Sequence, residues 1–392
     1  MKIEDKLIES IESLKEEAFQ LNRCLFDNPE LSGKEYNSVK KIVEVLNKYG
    51  IKTRLNYCDL ETSFLGKVIE NKDSNVKIGI LTEYDALPGV GHACGHSASC
   101  AISVLSALAI KKNEEDIKVN VDIIGTPDEE NEGLKIPMAE KGAFDDYDYV
   151  IMVHLDTKNR PNWKLLAFET YKIEFFGKPA HAAASPWEGN SALDGLMLAI
   201  HGFDMMRKCT KPGTIIEGYI TEGGVATNII TDYASGMYTF RSNDFNYIKS
   251  TLIPWMENIV YGCAKATRTK AKITKHGYPF MDMKYNNIGT KIISDIMKKY
   301  QMENYEQEKA VGSSDIGNVS YRCPSFHPSV AITNEDISLH TKEFAELVGS
   351  DASKMAIENG AKTILGFIGR TIDDKDLIKK IKLEFNGDKN GL

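Results

Sequence analysis

Three apolar segments, Lys77–Leu81, Val119–Gly125 and Tyr149–Leu155, each run straight into residues that can carry chemistry. The first leads into Glu83-Tyr84-Asp85-Ala86-Leu87-Pro88-Gly89 and then Gly91-His92-Ala93-Cys94-Gly95-His96. The second ends in Thr126-Pro127-Asp128-Glu129-Glu130-Asn131-Glu132, and the third carries His154 close to its end. A further strand pattern covers Phe64–Val68. Helical patterns end near Gly50, follow Gly95 and span Leu134–Lys141. Such alternation predicts an α/β domain around a largely parallel sheet. Ligands of open sheets gather beyond the C-terminal strand ends, and successive strands should set those ends side by side.

From Leu166 onward the pattern changes. A strand (Thr170–Phe176) is followed by an amphipathic helix (Ala192–Arg207), strands at Ile215–Thr221 and Ala234–Arg241, a helix over Tyr247–Ala266 and a strand at Lys270–Lys275. This β-α-β-β-α-β order is ferredoxin-like. After Gly277-Tyr278-Pro279 the helix and strand alternation resumes. The expected organisation is therefore a discontinuous catalytic domain, residues 1–166 and 278–392, with an inserted α+β domain at 167–277. A chain of 392 residues exceeds what one core usually serves, which agrees with two domains.

A net charge of −8 without a basic stripe argues against nucleic acid as a partner. Near the N-terminus Ile3, Leu7, Ile11 and Leu14 recur at helical spacing among charges, unlike the unbroken apolar stretch of a signal peptide. The longest apolar run, Cys100–Ile110, is too short to cross a bilayer and reads as a buried helix. A cytoplasmic location with no membrane partner is the expectation. The seven cysteines are odd in number and scattered, so they read as reduced thiols rather than a disulfide framework.

Taken singly, each polar cluster has a bland alternative. Cys94-x-His96 on a Gly-rich turn can aim a thiolate and an imidazole at one point, yet a buried Cys beside a capping His looks the same. Glu129-Glu130 suits a division of labour between metal binding and proton transfer, but acidic runs are usually solvated loops. A lone His154 is more often a satisfied core residue. Recurrence at three neighbouring strand ends shifts the balance, and the segments Ser325–Pro328 and Leu339–Phe344 add His327 and His340.

With those residues in view, the sequence resembles the aminoacylase and carboxypeptidase superfamily of metallo-amidohydrolases, peptidase family M-twenty, subfamily D. The blocks that carry the resemblance are Asn28–Leu31, Glu83–Gly89, Gly91–His96, Gly177–Ala182, Glu222–Asn228, Gly312–Asp315 and His340-Thr341. The nearest branch holds p-aminobenzoyl-glutamate hydrolases and β-alanyl-type dipeptidases. The resemblance implies metal ligands at Cys94, His96, Glu130, His154 and His340, with Glu129 as general base and Asp85 beside it among the catalytic residues. It implies two divalent ions per chain, zinc first, with manganese, cobalt or nickel as alternatives. His181, Asn228 and Arg241 are the implied substrate-binding residues of a lid that also dimerises. The implied substrate is a dipeptide, an N-acyl amino acid or an aminobenzoyl-glutamate. Ser97 departs from the acidic or amide residue of many relatives, which touches the surroundings of the ligands. His92, His201 and His276 receive structural readings. Two other classes compete: a cysteine hydrolase with Cys94 as nucleophile, and a metal- or peptide-binding protein without turnover.

Overall fold

The computed structural model describes residues 2–389, which divide into two compact units. The first comprises residues 1–164, 283–309 and 314–392, and the second residues 165–282 with 310–313.

The first unit is built on a six-stranded sheet in the order Lys52–Leu55, Phe64–Ile69, Asn120–Gly125, Lys77–Thr82, Tyr149–Ile151, Ser325–Phe326. The last four run parallel, while the first two pair antiparallel at one edge. The expected largely parallel sheet is thus mixed, with a parallel core. Phe64–Ile69 is joined to the core strand Lys77–Thr82 by residues 70–76 alone, too short for the crossover that parallel strands need, so it runs antiparallel to the core strands. The core strand Lys77–Thr82 is buried on both faces, as a Val/Ile/Leu-type run in a parallel sheet should be. Gly79 lets Val150 approach to within 2.9 Å of where a Cβ would stand.

The expected strand Tyr149–Leu155 is broken. Tyr149–Ile151 belongs to the main sheet, whereas His154–Asp156 pairs parallel with Ser329–Ala331 as a separate ribbon. The chain leaves the sheet at Met152-Val153, and His154 follows beyond the C-terminal end of the strand.

The helix His96–Lys112 is buried from His96 to Ile110. A helix apolar all round must be enclosed, and here small residues let neighbours come close: Ile102 would lie 2.4 Å from a Cβ on Gly360 of the helix Ala352–Asp373. The Ser103 and Ser106 hydroxyls donate to the Leu81 and Ile102 carbonyls at 2.8 Å each, so the helix hides its polar atoms inside the core. Among the described residues no helix is long and apolar enough to cross a membrane.

The second unit is a four-stranded antiparallel sheet in the order Lys270–Phe280, Ala167–Phe176, Tyr233–Ser242, Ile215–Glu222. The helices Ala192–Arg207 and Ile253–Ala266 bury Leu196, Phe203, Met256 and Val260 in one core with Ile173, Phe175, Tyr238 and Phe240 of the sheet. The β-α-β-β-α-β order with this strand arrangement is ferredoxin-like. Lys270–Phe280 continues through Gly277-Tyr278-Pro279 instead of ending there, absorbing that segment as a register shift between His276 and Phe280.

Candidate metal centre

The parallel register of the core strands sets the site. Thr82 pairs with Gly125 and Ile80 with Ile151, so the segments that follow emerge next to one another. Cys94 and His96 flank Gly95, whose φ of +88° makes the tight turn into the helix. A side chain there would be strained by that backbone and would also meet Leu155 Cβ at 3.0 Å. Glu129 and Glu130 follow Asp128, itself left-handed with φ +58°, whose amide donates to Glu35 at 2.9 Å. His340 has φ +66° and donates its backbone N–H to the Ala93 carbonyl at 2.9 Å, which brings its ring to the neighbouring Cys94.

These turns gather the five expected ligands in the first unit. Cys94 Sγ lies 3.3 Å from His154 Nε2 and 3.3 Å from His340 Nε2. Glu130 Oε1 is 3.5 Å from His340 Nε2 and 4.0 Å from His96 Nε2. Two donor groups result, Cys94 with His96 and His154, and Cys94 with Glu130 and His340, each with atoms within 4.8 Å of one another. The thiol is common to both. His96, Glu129 and Glu130 form a third such group, and Glu83, Glu129 and Asp315 a fourth.

The other ring nitrogens of His96 and His154 are engaged, which fixes how those two rings point. His96 Nδ1 meets Asp85 Oδ1 at 2.8 Å, and His154 Nδ1 meets the Leu155 carbonyl at 2.6 Å. Asp85 is in turn held by the Glu130 amide at 2.9 Å and the Ser32 hydroxyl at 2.8 Å. Asp85 therefore stands behind the His96 ring and acts through it, as a positioning carboxylate. His96 Nε2 and Glu130 Oε1 have no hydrogen-bond partner despite their burial. Orphaned buried donors and acceptors of this kind are costly, and a divalent ion would satisfy them. Soft thiolate, imidazole and carboxylate donors together suit zinc.

Electrostatics agree with that assignment. Burial would lower the His96 pKa, but Asp85, Cys94 and Glu83 raise it well above the ordinary value. In the ion-free chain, burial pushes the Cys94 thiol well up; a bound cation reverses this by deprotonating the thiol outright. Burial, then Glu83, Asp315 and Glu130, push the Glu129 carboxyl well above its ordinary range.

A family model described as peptidase family M20/M25/M40 matches residues 79–369. The chain belongs to this family. Among the relatives of this M20-family chain, the Xaa-Arg dipeptidase of Mus musculus is 29% identical over 402 residues, covering 96% of this chain and 90% of that protein. The Xaa-Arg dipeptidase of Homo sapiens is 31% identical over 317 residues, 79% of this chain and 72% of that protein. One of the p-aminobenzoyl-glutamate hydrolase subunits of Escherichia coli is 27% identical over 266 residues, 62% and 54% respectively. A solved structure described as a dinuclear metal-binding peptidase of the family, from Bacillus subtilis, superposes with a TM-score of 0.73 at 18% identity, over 92% of this chain and 99% of that one. The fold is that of M20 peptidases.

The remaining expected residues of this M20-family chain lie in the second unit. His181 Nδ1 accepts from the Ala183 and Ala184 amides at 3.2 and 3.1 Å, and the Ala182 amide donates to the Asn228 carbonyl at 2.9 Å, so the His181 and Asn228 segments run together. Arg241 is engaged within its own unit: Nε donates to Glu217 at 2.6 Å, Nη1 to the Ser313 hydroxyl at 3.1 Å, and the guanidinium lies 4.7 Å from the Phe168 ring centre.

Sequence reasoning missed a buried charged set beside the ligands. Lys135 is wholly buried, its ammonium 2.5 Å from Glu83 Oε1 and 2.7 Å from Asp315 Oδ1. Glu83 and Asp315 stood in recognised blocks without a role, while Lys135 gave no signal because one Lys in a helical pattern reads as solvated. His327, to which the sequence gives no role, is buried, with its ring 5.7 Å from that of His154.

Proposed function

We propose that this chain hydrolyses the amide bond of a small carboxylate-bearing substrate, foremost a dipeptide, at a two-ion centre held by Cys94, His96, Glu130, His154 and His340. The observation that carries this is the convergence of five donors from separate turns on two groups sharing one thiol. When bound, the ions would polarise the amide carbonyl and lower the pKa of water in the site. Glu129 is the general base: it takes a proton from the attacking water and delivers it to the departing amine. Asp85 keeps His96 Nδ1 occupied, which leaves Nε2 as the nitrogen that would hold an ion.

The Xaa-Arg dipeptidases among the relatives support a dipeptide ahead of an N-acyl amino acid or aminobenzoyl-glutamate. We assign His181, Asn228 and Arg241 to substrate binding, Arg241 because a guanidinium suits a carboxylate by parallel hydrogen bonds. Homodimerisation belongs to the same reading, supported by the edge strand Ile215–Glu222, which exposes Tyr219 and Ile220. Light scattering tests it: a monomer at micromolar concentration rejects it.

The decisive experiment mixes zinc-loaded protein, and its Glu129→Gln variant, with a pooled panel of dipeptides, N-acyl amino acids and p-aminobenzoyl-glutamate, with products read by mass spectrometry. Cleavage by the parent alone supports the proposal. A chain that binds no metal and cleaves nothing refutes it. Cys94 lies near two imidazoles, so a thiol nucleophile must also be tested. Activity that survives a chelator and is lost on alkylation would favour that mechanism.

A further inference from the structure

Glu83 is buried to 1% exposure, and its two carboxylate oxygens have different surroundings. Oε1 is tied to Lys135 at 2.5 Å, and Lys135 is held from the other side by Asp315, through Nζ to Oδ1 at 2.7 Å and the backbone amide to Oδ2 at 3.0 Å. This buried ammonium between two carboxylates fixes the rotation of the Glu83 head group. Oε2 is thereby turned away from Lys135, and it has no hydrogen-bond partner. Its near neighbour is His96 Nε2, at 3.5 Å, which is the ring nitrogen that Asp85 leaves open and which also lacks a partner.

The two atoms are 3.5 Å apart and pair with one another only when the ring is protonated; with the ring neutral, neither has a partner, and an ion beside them would satisfy both. Nitrogen and oxygen donors on one zinc ion, each about 2.0–2.2 Å from it at a tetrahedral angle, lie roughly 3.4 Å apart. The observed spacing matches. We propose that Glu83 is a further metal ligand of this chain, donating through Oε2 to the ion held at His96 Nε2, with Lys135 and Asp315 as the positioning pair that aims it. This inference rests on the two-ion reading above and adds a sixth donor to it. Its consequence is asymmetry between the two ions: the one at His96 gains an anionic donor, while the one at Glu130 and His340, on the side where His340 is 54% exposed, keeps room for water and substrate.

The test measures metal binding directly. Wild-type protein, Glu83→Gln, Glu83→Asp and Asp315→Asn are stripped and titrated with Zn²⁺ by calorimetry. Bound metal is counted by plasma mass spectrometry, and the visible spectrum is recorded after loading with Co²⁺. Loss of a partner outside the metal shell already weakens binding about ten-fold, so loss of a direct donor should weaken one of the two ions by at least about ten-fold and change the Co²⁺ spectrum. Glu83→Gln should do both and leave the other ion in place. Glu83→Asp, which keeps the charge but withdraws the oxygen by one methylene, should weaken the same ion. Asp315→Asn loosens Lys135 without removing the donor, so it should retain two ions and a Co²⁺ spectrum close to wild type, with a smaller loss of affinity than Glu83→Gln. Both Glu83 variants binding two ions with unchanged affinity and spectrum would overturn the inference while leaving the two-ion reading intact. A wild-type chain that takes up no Zn²⁺ would overturn both.

Discussion

Replacing Lys135 by methionine keeps the length of the side chain and removes its charge. In the native chain the ammonium pairs with both Glu83 and Asp315, and all three groups are buried, at no more than 1% exposure. Removing one partner of a buried ion pair costs about 3–5 kcal/mol, because the remaining charge is left without compensation. For a unit of this size each kcal/mol lowers the melting temperature by roughly 2 °C, so the metal-free variant should melt about 6–10 °C below its parent at pH 8. The deficit should also depend on pH. Burial raises the Glu83 carboxyl, and Lys135 overrides that to hold it at about 2. Without Lys135, burial is opposed only by the smaller pulls of His96, His327 and His154, and the folded-state pKa should rise above the ordinary 4.5. The folded variant then binds more protons than the unfolded chain, so it loses stability as pH climbs through that interval. Scanning calorimetry of the apo-protein at pH 5.5 and 8 reads both effects. The neutral triple variant Lys135→Met with Glu83→Gln and Asp315→Asn should recover most of the loss. A Lys135→Met protein within about 1 kcal/mol of the parent at pH 8, or a deficit that does not change with pH, would refute this electrostatic account.

Other outcomes follow from the same geometry. Glu129→Gln should keep both ions and lose at least about 100-fold in kcat, the scale of a positioned general base; plasma mass spectrometry with turnover assays separates the two. Glu130→Ala should lower metal occupancy itself, and added Zn²⁺ should restore part of the activity. Excess chelator should abolish turnover, with recovery on metal return and protection of Cys94 from iodoacetamide in the loaded protein. Glu35, raised from 4.5 to about 7 by burial and then by Asp85, binds more protons folded than unfolded across that window. Its contribution to stability therefore falls as pH rises from 4.5 to 7. Glu35→Gln should flatten that slope and gain up to about 3 kcal/mol at pH 8 relative to the parent, measured by urea denaturation.

The linear order of residues already determined a good deal. The apolar runs fix which strands are buried on both faces, and the residues just beyond them, Cys94, His96, Glu129, Glu130 and His154, are where an α/β sheet presents ligands. The run Cys100–Ile110, apolar but for Ser103 and Ser106, determined an enclosed helix, because no charged face is available to meet water. Local spacing cannot encode what depends on partners far along the chain. The antiparallel edge at Phe64–Ile69, the break at Met152-Val153 and the approach of His340 to Cys94 across 246 positions are decided by tertiary packing. So is the role of Lys135. In the sequence it is one lysine on a short helix, and only the folded chain places it between Glu83 and Asp315, where desolvation turns an ordinary surface charge into a fixed part of the site.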